Sequence, residues 1–433
     1  MRRTPEEEQQ LRIWKNFFNF VDMGYRAFSA DEEGTGLTEF ANMTRHYIGR
    51  LVENIQQGKP IIWHNLGYNP ELFFAFEGVF NLCIEMMGAV YIMSYNTQAA
   101  MDMIDLAEAD GIPSDMCSAD KISVGAMSMK LYPKPVCHLA INSPCDSQVV
   151  STQAMLELEP APMFVVDVPY ESDDRAVKYV AGQLRELSEF LARHLGIKMD
   201  WDRLRQVCEI SNQTVQTLWD WMDFRKHVPV VQPSKVCSFV VPLQMICCGT
   251  QEGLDFARGL LHEARLKVNR GRPVVEEKVR AIWYNDPVWF DLQLYDWMEK
   301  VLGLTIPIDL FGYYAAEGLI DTSTPESMLF GLAKKMIRIM PMTRQFRGKA
   351  ETFIADFLTM AEVFQADCGI FAGHLGCKHA WGVIGLFKEA CRKANIPLLI
   401  FPYDMMDPRV TSREDIKFEL ARFVNEVVLP RKG

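Results

Sequence analysis

No apolar run in this chain approaches the roughly 18 to 20 residues needed to cross a bilayer. The strongest candidate, VCSFVVPLQMICC, is interrupted by Pro242 and Gln244, so no membrane partner is expected. The N-terminus, MRRTPEEEQQ, turns acidic at once and lacks the apolar centre of a secretory leader. No basic stripe offsets the formal net charge of −11, which argues against a nucleic-acid partner held through its phosphates. The most basic stretch, ARLKVNRGRP, reads as a helix end and loop. The eleven cysteines are odd in number and irregular in spacing, unlike a secreted disulfide framework. A cytoplasmic protein is the expectation. Compact C-x-x-C zinc or ferredoxin runs are missing. So is a G-x-x-x-x-G-K-S/T phosphate loop, so the chain is not expected to hydrolyse ATP itself.

What is present is ordinary globular material. Of 433 residues, 49% are hydrophobic and 23% charged, which excludes disordered and fibrous classes and leaves room for two or three domains. Residues 5 to 57 carry apolar positions three and four apart and read as helix. From Pro60 the pattern alternates: PIIWHN, AVYIMS, VCHLAIN and MFVVDVP read as strands, with helical segments near 71 to 87, 97 to 109 and 116 to 130. From Asp173 to Leu266 the strand signal mostly stops and three helical periods follow. After Gly271, Arg272 and Pro273 a second alternation runs through VRAIWYND, LTIPIDLFG, CGIFAG and IPLLIFP to a terminal helix. The reading is α/β: two Rossmann-like parallel-sheet lobes with a helical middle segment and an N-terminal helical extension. Its parts are residues 1–172 with the first lobe, 173–272 helical, and 273–433 with the second lobe.

Three cysteines stand where strand or loop gives way to helix: Cys117 in MCSAD, Cys145 in SPCDSQ and Cys377 in GHLGCKHAWG. Thiolates there face the crevice in which open α/β sheets bind ligands, and a helix N-terminus favours negative charge. A shared metal cluster and plain burial as small hydrophobes both remain open on residue chemistry alone. The other eight cysteines read as core or loop. His374 and His379 flank Cys377 and could donate protons or hydrogen bonds, or simply cap a helix. Glu71, in WHNLGYNPELFFAFEG, could face an active cavity or merely complement a helix dipole. Asp404, Asp407 and Arg409 in YDMMDPR could hold a cysteine loop or stabilise a turn.

Taken in order, DMCSADKISVGAM, NSPCDSQ and ADCGIFAGHLGCKHAWG, followed by IPLLIFPYDMMDPRVTSREDIKFELARFV, resemble the cluster-cysteine regions and terminal signature of the benzoyl-CoA reductase and 2-hydroxyacyl-CoA dehydratase family, over roughly residues 59 to 428. The likeness is greatest to the larger cluster-bearing subunit of an ATP-dependent benzoyl-CoA reductase. The resemblance implies a 4Fe-4S cluster held by Cys117, Cys145 and Cys377, with one iron open. It also implies a homologous smaller cluster-bearing subunit and a separate ATP-hydrolysing iron–sulfur activator. The implied substrate is an aromatic or 2-hydroxy acyl-CoA thioester, reduced by single electrons through a ketyl radical. Ring reduction to a cyclic dienoyl-CoA is the first expectation and radical elimination of water the second. A non-catalytic electron-relay or interface subunit is a third. A double-cubane cluster enzyme would need more cysteine ligands than these three.

Overall fold

The structure, a computed structural model, describes residues 3–29, 35–86, 97–347 and 349–432. Two long helices come first, α1 (Pro5–Phe28) and α2 (Thr35–Gln57), packed on each other. Helix α1 starts with Pro5 after Thr4, whose hydroxyl accepts the Glu7 N–H while the Glu7 carboxylate accepts that of Thr4, a reciprocal cap. The first lobe follows as β1 (Ile61–His64), α3 (Glu71–Phe74), β2 (Phe80–Cys83), α4 (Thr97–Ala109), α5 (Ser118–Ser128), β3 (His138–Ile141), α6 (Ser147–Leu158) and β4 (Met163–Val166). Helices α7 (Asp174–Leu195), α8 (Trp201–Arg225) and α9 (Gln251–Asn269) occupy the middle. The second lobe contains β5 (Val279–Trp283), β6 (Leu304–Thr305), α10 (Pro325–Lys334), α11 (Ala350–Val363), β7 (Cys368–His374), α12 (Lys378–Gly382), α13 (Ile384–Lys393), β8 (Leu398–Tyr403) and α14 (Arg413–Phe423).

Each lobe has a four-stranded parallel sheet, ordered β2-β1-β3-β4 in the first and β6-β5-β7-β8 in the second. The α/β reading therefore holds, and the two sheets share one topology that no sequence repeat announces. In β1, Ile61 and Trp63 face one apolar core while Ile62 faces another. Burial on both faces explains why the strands read as continuous apolar runs without alternation. The larger core runs from α1 and α2 across both sheets; the smaller lies between the first sheet, α7 and α10. The middle helices do not stand apart, since α9 packs on α2 and α7 on α10.

Two local readings need correcting. The helix expected over 71 to 87 is interrupted: Glu71–Phe74 is helical and so are residues 84–86, but between them Gly78, at φ 76°, turns the chain and Phe80–Cys83 joins the sheet as β2, while residue 87 lies outside the described residues. Apart from the half-buried Phe74 and Val79, the apolar side chains of FFAFEGVFNL are all buried, so their helical spacing carried no information about one face. The strand expected at AVYIMS lies outside the described residues. In both sheets the strand order reverses beside the central strands, between β1 and β3 and between β5 and β7. That is where parallel sheets open a crevice at their carboxyl ends.

Candidate functional site

Each of the three cysteines sits at such an end or at a helix start. Cys117 is the N-cap residue of α5, Cys145 lies in the loop between β3 and α6, and Cys377 is the N-cap residue of α12 after β7. They line one cavity of about 70 Å³, two contributed by the first lobe and one by the second. Gly376 makes the approach possible. A Cβ there would lie 2.6 Å from the Cys117 Cα and 2.9 Å from His374 Nε2, so only glycine lets the β7–α12 turn lie against the start of α5. The turn is closed by the Cys377 N–H donating to the His374 carbonyl at 2.9 Å.

Apolar Leu66, Met342, Phe346 and Met405 wall the cavity beside the polar groups Glu85, Asp120, Gln148, Asp286 and His374. All three cysteines are intermediate in exposure, as residues facing a small cavity should be. Burial pushes each thiol up. For Cys117 and Cys145 the negative neighbours, Asp120 first, add to it, and Cys377 reaches about 12 with help from Asp286. Free thiols here keep their protons, so ligand binding to a metal must displace them. The carboxyls are also shifted: Asp286 is raised to about 7 by burial, and Glu85 and Asp120, which repel one another, are raised chiefly by burial as well.

His374 is 1% exposed and lines the cavity. Its Nδ1 faces the Met405 N–H at 3.3 Å and Asp404 Oδ2 at 3.6 Å, while its Nε2 is buried without a partner among the described residues. Burial lowers its pKa, opposed by Asp404. His379 is not among the cavity-lining residues; its ring lies 3.9 Å from Asp146 on the outer rim, next to a Lys378–Asp115 pair at 3.1 Å. Glu71 is also absent from the lining. It is fully buried in a separate network with Lys335, Ser211 and Cys248. Asp404 serves the turn, accepting the N–H groups of Met406 and Asp407, whereas Arg409 grips both Asp407 and Asp105 of α4. The other eight cysteines are buried.

Sequence reasoning missed Glu85, Asp120 and Asp286. Asp286 carried a usable signal, since it follows the strand VRAIW at its carboxyl end. Asp120, three residues after Cys117, is hidden in a helix whose every residue from Ser118 to Met127 is buried. Among the described residues no three His, Cys, Asp or Glu side chains converge as they would on a single metal ion. The three thiols line the same cavity without converging on one point.

Comparison with known proteins gives the family. The family described as 2-hydroxyglutaryl-CoA dehydratase, D-component, matches residues 65–427, a span that includes all three cysteines and every strand of the two sheets except β1. The chain belongs to this family. Among its relatives is the (R)-phenyllactyl-CoA dehydratase alpha subunit of Clostridium sporogenes, 23% identical over 76% of this chain and 81% of that protein. Another is the lactoyl-CoA dehydratase subunit alpha of Anaerotignum propionicum, 22% identical over 73% of this chain and 79% of its own length. The 2-hydroxyacyl-CoA dehydratase side of the expected resemblance is thereby supported, in preference to the reductase side.

Proposed function

We propose that this chain is a subunit of a 2-hydroxyacyl-CoA dehydratase, with Cys117, Cys145 and Cys377 holding a 4Fe-4S cluster. The observation that carries the reading is the meeting of three thiols from two lobes around one cavity, at the carboxyl ends of two parallel sheets. The fit is chemical as well as spatial. Three soft sulfur ligands suit an iron–sulfur group, and Gly376 removes the side chain that would hold their loops apart. When bound, such a group supplies single electrons at low potential to a thioester. The apolar wall of Leu66, Phe346, Met342 and Met405 excludes water from the acyl group. His374, which lines the cavity and whose Nε2 has no partner among the described residues, offers a hydrogen bond to a thioester or hydroxyl oxygen.

The relatives' names support a 2-hydroxyacyl-CoA substrate and a second subunit, and the energetic demand of the reduction argues for a separate ATP-hydrolysing activator. Benzoyl-CoA reduction, first on the sequence reading, ranks below dehydration because both relatives are dehydratases. The test is an anoxic assay of the chain with its partner and activator, offering lactoyl-CoA, phenyllactyl-CoA and benzoyl-CoA in parallel. Release of the 2-enoyl-CoA is expected. Ring reduction with no dehydration would reverse the order, and an iron-free, inactive protein after reconstitution would end both readings.

A further inference from the structure

The polar groups lining the cavity divide into those already engaged by the protein and those left free. Glu85 receives hydrogen bonds from Asn65 Nδ2 and the Leu66 N–H, and Asp120 from the hydroxyls of Ser147 and Ser151. Both carboxyls are occupied. The Asp286 carboxyl, among the described residues, is met only by its own backbone N–H. Its backbone, by contrast, is held by side chains from two elements. The Asp286 carbonyl accepts from Trp283 Nε1 at 2.9 Å and from the Tyr403 hydroxyl at 2.6 Å. The residue before it, Asn285, is buried at φ 116°, a conformation that disfavours any side chain, and is tied to the Ala372 carbonyl at 2.8 Å. Backbone strain of this kind persists only where the surroundings hold it, and it concentrates at functional sites. Its effect here is to turn the chain sharply at the end of β5 and set a carboxyl at the cavity.

Gln148 Oε1, a neutral acceptor, also has no partner among the described residues, and the remaining free group, on His374, is of the opposite kind. With the Met405 N–H directed at Nδ1, the neutral imidazole of His374 places its proton on Nε2, the nitrogen that has no partner among the described residues and is left to donate. An acceptor and a donor are thus presented together.

We propose that Asp286 is the catalytic proton acceptor of the cavity, taking the proton from C3 of a 2-hydroxyacyl thioester, with His374 Nε2 donating to a substrate oxygen. The assignment rests on the dehydratase reading above. Elimination breaks the C3–H and C2–O bonds and forms the C2=C3 double bond and water. The C3 proton passes to the Asp286 carboxylate and from there to the departing hydroxide. The electron that opens the cycle is returned at its end, so no oxidant or reductant is consumed overall.

The experiment compares wild type, Asp286→Asn and Asp286→Glu in the complete complex with partner and activator. It measures kcat with ordinary and C3-deuterated substrate, iron per chain, and the affinity for butanoyl-CoA, which lacks the hydroxyl. In Asp286→Asn, kcat should fall about 100- to 10,000-fold, the usual worth of general base catalysis, with an enlarged deuterium effect. Iron content and butanoyl-CoA affinity should stay within about twofold, and Asp286→Glu should recover part of the rate. A kcat for Asp286→Asn within about threefold of wild type would overturn the assignment. So would loss of iron or thioester binding in both variants, which marks a structural role. A wild-type complex that dehydrates no 2-hydroxyacyl-CoA would instead remove the reading on which the assignment stands, and the assignment with it.

Discussion

At the residue scale, the same side-chain types do different work according to what surrounds them. Cys377 faces a cavity, whereas Cys248 meets Lys335 Nζ at 3.0 Å in a closed network. Replacing Cys377 by Ala should reduce iron per reconstituted chain well below wild type, read by iron and sulfide analysis with the reduced-state EPR spectrum. Glu71 should behave as a structural residue. Burial alone would lower the Lys335 pKa, but Cys248 and Glu71 outweigh it and keep the ammonium charged. Lys335→Met would strand a fully buried carboxylate, at a cost of about 3–5 kcal/mol in denaturant unfolding. A loss below about 1 kcal/mol would mean that the pair is not what holds this region. Asp309 is raised to about 7 by burial, above the ordinary aspartate value of about 3.9. Its contribution to stability is therefore complete at low pH and lost as pH rises from about 4 through about 7, because the unfolded chain releases the proton first. Urea midpoints from about pH 5 to about pH 8 should fall less steeply in Asp309→Asn than in wild type.

At the element scale, strand ends and helix starts meet closely enough that single hydrogens matter. A Cβ on Gly125 of α5 would come within 2.1 Å of the Met103 carbonyl oxygen of α4. Gly376 has the same role between the lobes. Gly376→Ala should impair iron incorporation more than it lowers the melting temperature, because the turn is pushed from Cys117 while the sheets remain intact. Equal iron content in the two proteins would show that the loops adjust freely. Most of these elements were legible in sequence. The helical periods of α1, α2, α7, α8 and α9 stand out because each covers a core on one face only. The strand β2 was not legible, since four buried residues next to buried helix residues offer no contrast of period. Cap chemistry is local, as in Thr4 with Glu7, whose pairing draws on no residue from elsewhere in the chain.

At the scale of the whole molecule, the N-terminal helices belong to the same core as the sheets. Trp14 and Phe17 of α1 and Tyr47 of α2 are buried in it, and the Tyr47 hydroxyl donates to the Asn81 carbonyl of β2 at 2.6 Å. Trp14→Ala should cost about 3–5 kcal/mol in a single unfolding transition that includes the lobes. A separate, earlier transition confined to the helices would contradict a shared core. Arg409 joins the loop after β8 to α4 through Asp105, but both side chains are substantially exposed, so the pair adds register more than stability.

Composition and order along the chain were enough for the α/β class, the two alternating stretches and the three cysteines in their settings, because period, cap residues and motif order are local properties. The rest required tertiary structure. Cys117 and Cys377 are distant in sequence and become neighbours only when two sheets of the same topology turn their carboxyl ends toward one cavity. Proximity also sorted the candidate residues. His374 entered the cavity; His379 stayed at the rim, and Glu71 went to Lys335. Asp286 became conspicuous only once the hydrogen bonds around it could be assigned, since a free carboxyl is defined by what its neighbours do not give it.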